Sequence, residues 1–132
     1  MTPAGKRILI VDDDRDFVEA VSSFLEASGF AVLKAHNGRD GVNLARTERP
    51  DLILMDIMMD ERTEGFFTIQ EMRRQEDLKG VPIFVLSALC AQMPDFGNLP
   101  DRAWMAHNEF LSKPVDMVQL LEKIRQRIGQ PA

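Results

Sequence analysis

Residues 52–59 read "LILMDIMM": four apolar residues run into Asp56, and three more follow it. A carboxylate in such company is costly to keep charged unless a neighbour compensates it. The run before it is apolar throughout, as expected of a strand buried on both faces. "RILIV" (7–11) has the same character and also runs into acid, at Asp12, Asp13 and Asp14. Two buried strands ending in carboxylates set both the fold and the question of what the acids do.

Outward from these strands, the hydrophobic period switches between strand and helix. After Asp14, the residues Phe17, Val21, Phe24 and Leu25 recur at helical spacing, and Gly29 ends the run. "FAVLKA" (30–35) returns to strand, and Asn37 can cap a second helix with Val42, Leu44 and Ala45 on one side, ending near Pro50. A third helix is expected from about Phe66 to about Gln75, and a fourth strand at "VPIFVLS" (81–87). A short fifth strand follows at "EFLS" (109–112). The last helix is expected over 115–127, with Leu120, Leu121, Ile124 and Ile128 on its apolar stripe. Such alternation predicts an α/β fold with a parallel sheet covered by helices on both faces. Five strands joined by right-handed crossovers suggest a flavodoxin-like, doubly wound sheet of order 2-1-3-4-5. Ligands then bind beyond the carboxyl ends of the strands.

A chain of 132 residues fits one domain, with its core expected over about 6–128. The formal charge of -5 argues against nucleic acid as a direct partner, since phosphate binding needs a basic surface. Cys90 is the only cysteine, which excludes an intramolecular disulfide and a thiolate-rich metal site. The most apolar stretch, 83–91, is too short to span a bilayer, and "MTPAGKR" does not read as a signal peptide. A cytoplasmic location is expected.

The chemistry collects at the strand ends. Strand one ends in Asp12, Asp13 and Asp14, strand three in Asp56 and strand four in Ser87, while Lys113 and Pro114 follow strand five. Taken alone, three acids before a helix are a cap and its dipole partners, and Asp14 is read as that cap. A lone Ser87 would be a strand terminator and a lone Lys113 a surface lysine. Placed together at one edge of the sheet, they make a site. Carboxylates at adjacent strand ends repel one another, so the site needs a cation. Oxygen ligands without His or Cys suit Mg²⁺, with Mn²⁺ as the alternative.

"ILIVDDD", "PDLILMDIMM", "VPIFVLSA" and "EFLSKPV", in that order, resemble the response-regulator receiver domain of two-component signalling, over roughly residues 6–128. The resemblance implies that Asp56 is a phospho-acceptor, attacking phosphorus to form an acyl phosphate. Asp12 and Asp13 would hold Mg²⁺ directly or through water, together with Asp56 and the backbone carbonyl of Met58. Ser87 would hydrogen-bond a phosphoryl oxygen after modification. Lys113 would pair with another, and with the Asp56 carboxylate before it. Phe110, three residues before Lys113, matches the family's aromatic switch position, where the ring turns inward as the Ser moves toward phosphate. The implied donor is a sensor histidine kinase or a phosphotransfer protein, and the implied reader is an unidentified downstream protein. The domain would modify itself without turning over substrate as an enzyme, and would contact neither nucleic acid nor membrane.

This chain departs from the family pattern in two places. Asp60 and Glu64 stand where receivers usually have proline and glycine, and Gly65 comes one residue late, so the loop reads as a one-residue insertion. Pro94, Gly97 and Pro100 argue for an irregular or shortened fourth helix, with a short helical piece near 100–105. Met58 and Leu89 are apolar at positions where the family often orients the hydrolytic water, so slow loss of the phosphoryl group is expected. His36 and His107 are read as surface residues, and Arg73, Arg74, Lys123, Arg125 and Arg127 as solvated helix faces. Two rivals stand beside this reading. One is a pseudo-receiver, an interaction module not switched by phosphate. The other is a Mg²⁺-dependent phosphatase, which Met58 opposes by occupying the place of the second acid.

Overall fold

The structure, a computed structural model, describes residues 6–56, 64–87, 108–112 and 115–129. Along the chain come β1 (Arg7–Val11), α1 (Arg15–Ala27), β2 (Ala31–Ala35), α2 (Gly38–Glu48) and β3 (Leu52–Asp56). Then follow α3 (Glu64–Arg74), a 3₁₀ turn (Glu76–Leu78), β4 (Ile83–Ser87), β5 (Asn108–Ser112) and the next described helix, α4 (Met117–Ile128). Three helices begin where a side chain serves their first free amides. Asp14 accepts from the Phe17 amide at 3.1 Å, and Asn37 from the Asp40 amide at 2.8 Å. Asp116 accepts from the amides of Val118 and Gln119 at 2.9 and 3.1 Å. The turn after α1 passes through Gly29 at φ 102°, whereas α2 closes on a non-glycine residue, Arg49, at φ 49°. Arg7 ties down that closing turn, its guanidinium donating to the Glu48 carbonyl at 2.8 Å.

The five strands form one parallel sheet in the order β2-β1-β3-β4-β5. Because strand side chains alternate sides, each unbroken apolar run divides between two cores. Leu9, Val11, Ile53, Met55, Ile83 and Val85 face Ala45 of α2 and Ile69 and Met72 of α3. Ile8, Ile10, Leu52, Leu54, Phe84 and Leu86 face α1 and α4, through Val18, Val21, Leu25, Leu120 and Ile124. Gly41 lets α2 lie close on β1: a Cβ there would stand 2.8 Å from Val11 Cγ2. The flavodoxin-like expectation is met.

Element limits moved by one or two residues. β2 starts at Ala31 and β4 at Ile83, while α3 starts at Glu64, ahead of Phe66. The 3₁₀ turn and the role of Arg73 were not anticipated. Arg73 is half-buried rather than a solvated face. Its guanidinium donates to the carbonyls of Leu78, Lys79 and Val81 at 2.8, 3.2 and 2.8 Å, so one cation holds the connection into β4. Burial pushes its pKa down, with the Arg127 charge as the second cause, and a guanidinium stays charged regardless. The irregular fourth helix, the 57–63 loop and the histidine at 107 lie outside the described residues.

Candidate metal centre at the strand ends

Register places the acids side by side. Val11 pairs with Met55, so Asp12 and Asp56, one residue further along β1 and β3, leave the sheet at the same level. Asp12, Asp13 and Asp56 each bring a carboxylate oxygen to within 4.8 Å of the other two. Asp12 is 1% exposed and Asp56 5%, while Asp13 stands further into solvent. Asp14 does not join them; it is spent on capping α1, as expected.

The first of these acids is held through its main chain and its side chain. Its amide donates to the Ala35 carbonyl of β2 at 3.1 Å, and its Oδ1 accepts from the Asp14 amide at 2.9 Å. Its own carbonyl accepts from Nδ1 of His36 at 3.2 Å, so that ring nitrogen carries a proton. His36 is thus half-buried against a site residue and not a plain surface residue. Its position was the available signal, since it directly follows an apolar strand, level with the acids on the neighbouring one.

Three like charges at this spacing are unfavourable. At 4.8 Å and an effective dielectric of about 20, each pair costs roughly 3.5 kcal/mol. A small divalent ion removes that cost, and an all-carboxylate donor set fits a hard cation such as Mg²⁺. The donor chemistry therefore suits the ion inferred from the sequence.

Ser87 is the last residue of β4, opposite Ser112 of β5, and Phe110 sits within β5 opposite Val85. Asp56 pairs with Leu86, which puts Ser87 one residue beyond the level of Asp56. Lys113 follows Ser112 in the chain; like Met58 and Leu89, it lies outside the described residues. Among the described residues, no helix is long and apolar enough to cross a membrane.

The family profile of the response regulator receiver domain matches residues 8–125. Protein PilH of Pseudomonas aeruginosa is 36% identical over 121 residues, covering 89% of this chain and 93% of PilH. Among solved structures, the receiver domain of the sensor histidine kinase PA1611 from Pseudomonas aeruginosa is 29% identical, with a TM-score of 0.77. That alignment covers 96% of this chain and 100% of the other, whose active-site cleft coordinates a magnesium ion. The chemotaxis protein CheY4 of Vibrio cholerae aligns with a TM-score of 0.79 at 28% identity, over 94% of this chain and 99% of its own. The chain belongs to the response regulator receiver domain family.

Proposed function

We propose that this chain is a single phosphorylation-switched receiver domain, with its core over about 6–128, working in the cytoplasm. It takes a phosphoryl group onto Asp56 from the phosphohistidine of a sensor kinase or a phosphotransfer protein. The observation that carries the reading is the convergence of Asp12, Asp13 and Asp56 at the carboxyl ends of β1 and β3. The magnesium-bound cleft of the PA1611 receiver supports the same reading.

In this reading Asp12, Asp13, Asp56 and the Met58 carbonyl hold Mg²⁺ (Mn²⁺ serving as a substitute). When bound, the ion neutralises charge shared by the carboxylates and the incoming phosphoryl oxygens. A carboxylate oxygen of Asp56 attacks phosphorus in line, a P–O bond forms, and the P–N bond to the donor histidine breaks with the electron pair leaving on the imidazole. β3 contributes aim. Its residues before Asp56 are fully buried, so the acceptor projects from a rigid base and little orientational freedom remains to be lost. Lys113 pairs with a phosphoryl oxygen, and Ser87 donates to another as β4 and β5 shift, with Phe110 turning inward behind it. The two conformations differ in affinity for a downstream protein, which reads the signal. The domain is a regulatory acceptor, not an enzyme with turnover, and it touches neither nucleic acid nor membrane.

The test is intact mass after incubation with a small acyl-phosphate donor and with a phosphohistidine donor, with and without Mg²⁺, on wild type and Asp56→Asn. A single phosphoryl adduct requiring both Mg²⁺ and Asp56 is expected. No adduct from either donor, in folded protein, would leave the pseudo-receiver as the better reading.

A further inference from the structure

We infer that His36 is a positioning residue for the metal centre, acting through the main chain of Asp12; the inference rests on Asp12 being a metal ligand as proposed above. The β1–β2 ladder ends at the Val11–Ala35 pair. One further bond in its pattern is made, from the Asp12 amide to the Ala35 carbonyl at 3.1 Å. Beyond Ala35 the second strand turns away, because Asn37 leaves the sheet direction to cap α2. The Asp12 carbonyl then takes a bond from a side chain, Nδ1 of His36 at 3.2 Å.

The two peptide groups on either side of the Asp12 Cα are consequently tied to Ala35 of β2 and to His36 just after it, and the Asp12 carboxylate is oriented by the Asp14 amide at 2.9 Å. Of these three bonds, the ring bond is the one made by a side chain outside the acidic run. Without it, rotation about the Asp12 Cα–C bond could turn the carbonyl toward water and swing the Asp13–Asp14 segment, displacing the Asp14 amide that orients the Asp12 carboxylate. Asp12 is 1% exposed and its carboxylate lies within 4.8 Å of those of Asp13 and Asp56, so a small turn of that group changes the donor geometry of the whole cluster. Outer partners that orient metal ligands commonly govern affinity without touching the ion.

Asparagine is the informative replacement, because its Nδ2 stands the same number of bonds from Cβ as Nδ1 of histidine. Leucine fills similar space with no donor. The experiment is Mg²⁺ binding by titration calorimetry on the whole chain for wild type, His36→Asn, His36→Leu, His36→Ala and Asp13→Asn, with melting measured in chelator. We expect His36→Asn to bind within about threefold of wild type and His36→Leu about tenfold more weakly, at the low end for loss of such an outer partner. Should His36→Leu fail to fold, His36→Ala is read in its place. Affinity for His36→Leu within twofold of wild type overturns the inference. So does an asparagine variant as weak as the leucine one, because a donor would then not be what matters. Wild type that binds no Mg²⁺, or Asp13→Asn that binds as tightly as wild type, overturns the metal reading itself and the inference with it.

Discussion

Asp13 is the most accessible of the three clustered acids, so at this scale it is the one whose charge can be removed with least disturbance of packing. In chelator, Asp13→Asn should raise unfolding stability by about 1–2 kcal/mol, less than the pairwise repulsion because solvent screens an exposed charge. A urea titration checks this, and an unchanged or lower midpoint would show that Asp13 feels no net repulsion. Stabilisation on losing a charge is expected of a group placed for chemistry and not for folding. The acids themselves were legible in the sequence, because a charge standing at the end of an apolar run is conspicuous one residue at a time. The bond from His36 to Asp12 was not legible. It joins residues 24 positions apart across two strands, and its one signal, a histidine directly after a strand and level with the acids, is seen only once β1 and β2 are set in register.

Among the elements, α2 packs closely on β1 at Gly41. A methyl at Gly41 would meet Val11 Cγ2 at 2.8 Å, and Val11 is fully buried with a stiff, branched side chain. Gly41→Ala should therefore cost about 1–3 kcal/mol of overpacking, offset by roughly 1 kcal/mol of improved helix propensity. The net loss should appear as a lower denaturant midpoint at unchanged slope; a higher midpoint would mean that α2 can lift away freely. Strand and helix existence was readable because periods of two and 3.6 are local properties of the chain. The 3₁₀ turn and the clamp by Arg73 were not, since a basic residue late in a helix looks the same whether it meets water or three carbonyls of the following loop.

For the whole molecule, ligand and fold are linked. Any ion that binds only the folded chain stabilises it by mass action, so Mg²⁺ at a hundred times its dissociation constant should add about 2.7 kcal/mol. The gain should be seen in urea unfolding of wild type and be absent from Asp13→Asn, and an equal gain in both would point to binding elsewhere on the acidic surface. Sheet order was legible at this scale because right-handed crossovers leave few ways to arrange five parallel strands. The division of each strand between two cores has a further consequence, for length. A one-codon insertion or deletion inside the five residues of β3 would exchange the occupants of the two cores on one side of the change and turn the acceptor to the wrong layer. A two-codon change would keep the facing but displace Asp56 by about 6.6 Å along the strand. The stretch through β3 is thus a ruler of fixed length, and insertions or deletions in this chain should be tolerated in the connections between its elements and not within the strand.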